Sequence, residues 1–153
     1  LGSGMYERAR AISRRVLAWG VAIGLVFTCV YAVGLEYLVG LLTTHAEVAE
    51  AAAVLTVVVA VMQPINSAVF VFDGIFIGAN DMGYMFAAMA LASFGFFVPV
   101  ALVLVVWCDG GLLSAWIAYA ALMVGRILPL TLRFRSANWL RTFVDAPHPS
   151  DGE

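Results

Sequence analysis

Four long stretches of apolar residues follow one another along the chain, separated by short polar connections. This pattern predicts helices over about residues 16–42, 48–79, 82–107 and 112–132. Each stretch reaches the roughly 20 residues that a helix needs to cross the hydrocarbon core of a bilayer. The sequence therefore predicts an all-α integral membrane protein with a transmembrane segment over residues 16–135, a loop over 1–15 and a tail over 136–153.

The composition supports this interpretation and excludes several other classes of protein. Of the 153 residues, 63% are hydrophobic and 12% are charged, and an ordinary soluble domain has about twice that charged fraction. We expect no enzyme activity, metal or cofactor, because the sequence contains no nucleophile–base pair, no metal-ligand spacing and no phosphate-binding loop. We expect no nucleic-acid partner, because most of the arginines simply flank the apolar stretches.

The distribution of arginines predicts the orientation in the membrane. Four arginines precede the first apolar stretch and three follow the last one, whereas the first and third connections contain none. An even number of spans places both ends on one side, and the excess of positive charge identifies that side as cytoplasmic. Short connections also predict that consecutive helices are antiparallel neighbours. Tryptophans near the predicted boundaries are expected to anchor the helices at the membrane interface, namely Trp19, Trp107 and Trp139.

The second apolar stretch carries polar residues where lipid would disfavour them. Gln63, Asn66 and Asp73 fall on one face of the predicted helix. In a bilayer such groups need partners in the protein or in water. Two interpretations of Gln63 and Asn66 remain open, a transport cavity and hydrogen bonding between helices. Asp73 is a candidate substrate or ion-coupling residue, with a purely structural ion pair as the alternative.

Arg126 in the fourth stretch is the natural partner for Asp73. It lies seven residues before Arg133, so its predicted depth in the membrane matches that of Asp73. We therefore hypothesise that the two side chains pair or share a water molecule. The alternative is that Arg126 extends along the helix to the headgroups at the inner surface.

Prolines and paired glycines predict how the helices bend and pack. Prolines lie inside the second, third and fourth stretches, where each removes a backbone hydrogen bond and favours a kink, at Pro64, Pro99 and Pro129. The glycine pairs Gly20/Gly24 and Gly74/Gly78 have the four-residue spacing that lets two helices approach closely.

One motif in the second stretch resembles a known family. The segment QPINSAVFVFDGIFIGAND, residues 63–81, resembles the tenth helix and following loop of MATE (multidrug and toxic compound extrusion) transporters, in their DinF-like branch. The branch pattern there is Q-P-x-N-x-x-x-F-V-x-D-G-x-x-I-G-A-x-D. The matching positions are Gln63, Pro64, Asn66, Phe70, Val71, Asp73, Gly74, Ile77, Gly78, Ala79 and Asp81. The segments before and after the motif are also similar to this branch, so that the resemblance covers nearly the whole chain.

The resemblance implies a fold, a function and a location. The family fold has twelve helices in two halves of six, and this chain is similar to the last four helices of the second half. The implied function is efflux of small molecules, mostly organic cations, in exchange for H⁺ or Na⁺ by alternating access. The implied location is the bacterial inner membrane, and the implied partner is the N-terminal part of the same transporter. Some relatives place a cation-binding carboxylate near the position of Asn66, where this sequence has an amide.

Two other functions remain open at this point. A self-contained transporter of four helices could act as a dimer, and a membrane scaffold subunit would need no transport site. The polar face of the second stretch and the three internal prolines favour a transporter over a scaffold.

Overall fold

A computed structural model describes residues 3–42, 45–106, 111–136 and 138–140, and the elements in these ranges are helical. The helices are α1 (Ser3–Leu42), α2 (Ala46–Gly78), α3 (Met82–Ala92), α4 (Val98–Val106) and α5 (Gly111–Ser136), with a π-helical turn (Ser93–Phe97) between α3 and α4. Four segments are long and apolar enough to cross a membrane, namely Tyr6–Leu35, Glu47–Gly78, Met82–Leu104 and Gly111–Ser136. The predicted all-α, four-span architecture is thus confirmed.

The two ends of the described chain differ from the expected loop and tail. α1 begins at Ser3, so most of the segment expected as a loop over residues 1–15 is helical. Its four arginines, two alanines and one glutamate are good helix formers. Beyond α5, the tail starts with ordered packing, since Trp139 and Leu140 are only 4% and 6% exposed. The remainder of the tail, residues 141–153, lies outside the described residues.

Close packing of α1 on α2 depends on the first glycine pair. A Cβ atom on Gly24 would lie 2.8 Å from the Cα of Pro64 and 2.9 Å from the carbonyl oxygen of Gln63. A Cβ on Gly20 would lie 2.5 Å from a methyl group of Val71. The close approach predicted at these glycines is confirmed. Gly74 and Gly78 of α2 make no close helix contact with the described residues, because no atom of these lies within 4 Å of an added Cβ.

α5 lies at the centre of the arrangement. It packs against α2, α3, the π-helical turn and α4, whereas α2 and α3 contact each other little. The prediction that consecutive helices are close neighbours is therefore confirmed for α1 with α2 and for α4 with α5. It largely fails for α2 and α3. α5 also lies very close to the π-helical turn, where a Cβ on Gly125 would come within 2.8 Å of the Phe96 ring.

A short turn with defined chemistry joins α2 to α3. Asn80 adopts a left-handed conformation with φ of 57°, which asparagine tolerates better than most residues. The backbone N–H of Asp81 donates to the carbonyl of Phe76, and that of Asn80 donates to Ile77. This pair of bonds is the Schellman arrangement that ends a helix and satisfies its last carbonyls.

The three prolines have different local surroundings. Pro64 and Pro129 lie inside uninterrupted helices, and the bends expected there stay predictions. Pro99 follows the π-helical turn, in which the N–H of Val98 donates to the carbonyl of Ser93, five residues earlier. A π-helical turn changes the register of the helical hydrogen bonds, so the helix accommodates Pro99 beside an existing irregularity.

An aromatic cluster fills the end of the bundle where α1 begins and α5 ends, here called the arginine-rich end. Trp139 stacks on Phe134 with ring centroids 5.5 Å apart, and it meets Phe76 edge-on at 6.4 Å. Its indole N–H donates to the carbonyl of Phe134. Trp139 is therefore a core residue, and the expected anchor role is wrong for it. Trp19 is 67% exposed, as an anchor should be, and Trp107 lies outside the described residues.

Candidate functional site

A largely buried ion pair joins α2 to α5. Nη2 of Arg126 donates to both carboxylate oxygens of Asp73, at 2.7 and 2.8 Å. The side chains of Arg126 and Asp73 are 11% and 19% exposed. The hypothesis that these residues pair is confirmed, and Arg126 does not extend to the headgroups. Neutralisation of each charge by the other lets both side chains lie within an apolar bundle.

Asn66 lines a cleft between α2 and α5. The cleft has a volume of about 440 Å³, and its walls come from α2 (Val59, Met62 and Asn66) and α5 (Ala115, Trp116 and Tyr119). The side-chain oxygen of Asn66 is buried and accepts no hydrogen bond from the described residues. Buried polar atoms are normally paired, so such an atom is a candidate contact for a ligand or a water molecule. Asn66 precedes Asp73 by seven residues, or about 10 Å along the helix.

The predicted polar face of α2 does not form a single surface. The backbone carbonyl of Gln63 and the hydroxyl of Ser67 lie against α1, close to Gly24. The hydroxyl of Thr56 donates to the carbonyl of Ala52 in its own helix. The cleft therefore involves Asn66 and the ion pair involves Asp73, whereas the backbone of Gln63 lies at the α1–α2 contact.

A side chain in α1 compensates for the proline in α2. Pro64 has no N–H to donate to the carbonyl of Ala60, four residues earlier. The hydroxyl of Thr28 takes that role, with a hydrogen bond of 2.7 Å to the Ala60 oxygen. The same hydroxyl lies 3.1 Å from the carbonyl of Gly24. The free carbonyl was evident from the sequence, but its donor was not, because the contact depends on how α1 packs on α2.

A second ion pair was missed by the sequence interpretation. Arg133 donates from Nε and Nη2 to the two oxygens of Asp81, at 2.8 and 3.2 Å, and Asp81 is 6% exposed. The guanidinium also lies over the ring of Tyr84, 4.8 Å from its centroid, and the Tyr84 hydroxyl donates to the carbonyl of Pro129. Although Asp81 precedes α3, its side chain makes no cap for that helix.

A sequence signal for this pair did exist. Arg126 and Arg133 are seven residues apart in α5, and Asp73 and Asp81 are eight residues apart across the end of α2. Both spacings are close to two helical turns. Two arginines and two aspartates with nearly the same spacing indicate two ion pairs along one contact between α2 and α5.

These features define a multi-pass α-helical membrane protein with a largely apolar cleft and paired charges inside its transmembrane segment. Comparison with known proteins gives its family. The MatE family model matches residues 1–108, and the chain belongs to the MATE family, whose members are efflux transporters of multiple drugs and toxic compounds.

The curated relatives are plant proteins. The chain is 34% identical over 136 residues to "Protein DETOXIFICATION 44, chloroplastic" of Arabidopsis thaliana, a match that covers 89% of this chain and 24% of the relative. It is 35% identical over 88 residues to "Protein DETOXIFICATION 42" of the same plant, which covers 58% of this chain and 17% of the relative. The chain thus spans a quarter or less of the length of these relatives. No solved structure matches it.

Proposed function

We propose that this chain is the C-terminal part of a secondary active transporter that expels toxic small molecules in exchange for H⁺ or Na⁺ by alternating access. The observation that carries this proposal is the cleft between α2 and α5, where the buried oxygen of Asn66 has no partner among the described residues. A cleft with apolar and aromatic walls and one unsatisfied acceptor suits an amphipathic small molecule with hydrogen-bond donors. The family assignment supports the same function.

We further propose that the transporter belongs to the DinF-like branch and lies in the bacterial inner membrane. The support for the branch is the motif over residues 63–81. The support for cytoplasmic ends is the placement of arginines at the arginine-rich end. Reading the gene upstream of Leu1 tests the proposal that eight further helices precede this chain.

The direct test is an efflux assay with the protein that the intact gene encodes. Everted membrane vesicles are incubated with a cationic fluorescent dye on the outside, and a gradient of H⁺ or of Na⁺ that is higher inside the vesicles is imposed separately. We expect one of the two gradients to drive dye transport. Transport under neither gradient, with the protein present in the membrane, would refute the proposed antiport.

A matched pair of variants tests the cleft itself. Asn66→Leu removes the unpaired acceptor and is expected to reduce dye transport at least tenfold. Thr56→Val is the control, because its hydroxyl bonds within α2 and is absent from the cleft lining. Equal transport by Asn66→Leu and wild type would remove the cleft from the transport pathway.

A further inference from the structure

Tyr84, in the first turn of α3, contacts both of the helices that carry the ion pairs. Its hydroxyl donates to the backbone carbonyl of Pro129 in α5 at 2.8 Å. Its ring lies 4.8 Å from the guanidinium carbon of Arg133 and 6.4 Å from the ring of Phe76 in α2, both measured to the ring centroid. The bond to Pro129 holds the helix itself, because a backbone carbonyl has no rotamer to change.

The contact at Pro129 lies between the two arginines of α5. It is three residues after Arg126 and four before Arg133, so about one helical turn separates it from each. In a regular helix, two residues seven apart point in directions that differ by only about 20°. A single rotation of α5 therefore directs both arginines toward α2, and a different rotation would turn both away.

α3 reaches the ion pairs mainly through α5. It packs against α5 but contacts α2 little. Arg133 is held at once by the carboxylate of Asp81, in the turn before α3, and by the ring of Tyr84. Arg126 is connected to the same tyrosine through the backbone of α5, at Pro129.

We propose that Tyr84 is a positioning residue for both ion pairs. It fixes the rotation of α5 about its axis, so that Arg126 and Arg133 face Asp73 and Asp81 at the same time. The stability of a charge pair between α2 and α5 is thereby coupled to a side chain of a third helix. The proposal does not rest on the proposed transport function, because it concerns contacts within the four helices.

A mutant cycle with three positions measures this coupling in the full-length protein. Asp73→Asn, Arg126→Gln and their double variant are made in wild type and again in the Tyr84→Phe background. The same set is made for Asp81→Asn and Arg133→Gln. Titration with sodium dodecyl sulfate in detergent micelles gives an unfolding equilibrium constant for each variant. The coupling within a pair is the factor by which the double variant departs from the product of the two single effects.

This measurement separates positioning from a general contribution to stability. Loss of general stability changes every constant in a cycle by the same factor and leaves the coupling unchanged. Tyr84→Phe keeps the ring and removes the hydroxyl bond to Pro129, and we expect the coupling within both ion pairs to fall about threefold. Tyr31→Phe is the control, because it removes a hydroxyl from another partly buried position, in α1, and is expected to leave both couplings unchanged.

A second control tests the packing of α5 as a whole. Phe96→Leu trims the contact of the π-helical turn with Gly125 of α5, and it is expected to lower the couplings less than half as much as Tyr84→Phe. If Asp73→Asn or Arg126→Gln fails to fold, Asp73→Glu and Arg126→Lys replace them, because they keep both charges and change the distance between them.

Three results would overturn the proposal. Unchanged couplings in the Tyr84→Phe background would mean that this tyrosine contributes only general stability. An equal fall in Tyr84→Phe and Phe96→Leu would mean that overall packing, rather than the hydroxyl bond, orients α5. A fall confined to one of the two ion pairs would contradict a common rotation of the helix.

Discussion

One nitrogen of Arg126 donates to both carboxylate oxygens of Asp73, and this contact fastens α5 to α2 inside the apolar bundle. Each of the two charges is tolerated there because the other is present. Removing either partner should therefore be worse for stability than removing both.

The first prediction is a double-mutant cycle on this pair. Asp73→Asn and Arg126→Gln are each expected to destabilise the full-length protein by about 3 kcal/mol, because each leaves an uncompensated buried charge. The double variant is expected to lose clearly less than the sum of the two. The stabilities of the variants are compared by thermal unfolding in detergent, with the folded fraction monitored by size-exclusion chromatography.

The same cycle distinguishes a structural role of Asp73 from a role in transport. Glu50→Gln is the control, since Glu50 is an exposed carboxylate in the same helix. A double variant that folds and still expels dye would make the pair structural. A double variant that folds at normal levels but expels no dye would assign the pair to the transport cycle. Additive losses of stability would contradict the ion pair itself.

The second prediction concerns the carbonyl that Pro64 leaves without a backbone donor. Thr28→Val keeps the side-chain shape but removes the hydroxyl, and it should cost about 1–2 kcal/mol because the Ala60 oxygen then lies unpaired. Thr28→Ser retains a hydroxyl and is expected to cost less. The readout is the same thermal unfolding assay.

A rescue variant checks this explanation. Pro64→Ala restores a backbone N–H four residues after Ala60, so the helix can then satisfy the carbonyl itself. In that background, Thr28→Val is expected to have little effect on stability. An equal cost of Thr28→Val in both backgrounds would show that the threonine acts in some other way.

The third prediction compares Gly24 with Gly74, each of which belongs to a pair of glycines four residues apart. Gly24→Ala would place a methyl group 2.8–2.9 Å from backbone atoms of Pro64 and Gln63. Backbone atoms cannot rotate away, so the helices must separate, at a cost of about 1–3 kcal/mol. Gly74→Ala meets open space and is expected to be neutral or slightly stabilising, because alanine favours a helix. A comparable loss of stability in both variants would contradict the close approach of α1 and α2.

The fourth prediction tests the second ion pair. Arg133→Lys keeps the positive charge but loses the two-nitrogen contact with Asp81 and the stacking on Tyr84. We expect a destabilisation of about 1–2 kcal/mol. Arg135→Lys is the control, because Arg135 is exposed and donates to no carboxylate of the described residues. Identical unfolding temperatures for the two variants would mean that Arg133 contributes charge alone.

Part of this structure was predictable from the sequence because the bilayer imposes strong rules. Apolar length predicts the spans, and the cost of a charge in lipid predicts that Asp73 and Arg126 find one another. The close approach of α1 at Gly24 follows from the same reasoning, since small residues permit backbone contact.

Other parts depend on packing that one sequence does not encode locally. The π-helical turn has no short sequence signature, and it arises where α3, α4 and α5 fit together. The position of α5 beside α2 joins Arg133 to Asp81 and closes the cleft that Asn66 lines. Trp139 looks like an interfacial residue by position alone, whereas its burial depends on neighbours that are distant in the sequence.

The π-helical turn at Ser93–Phe97 also affects how mutations in this region should be interpreted. It holds one residue more than a regular helical turn of the same height would need, so the faces of α4 are offset by about 100° from those that a continuous helix would present. Loss of a single residue in this turn would preserve a helix of nearly the same length and hydrophobicity. It would nevertheless direct each following side chain of α4 toward a different neighbour. Insertion or deletion of one residue at this point would thus leave the helix able to span the membrane but would disrupt its packing against the other helices.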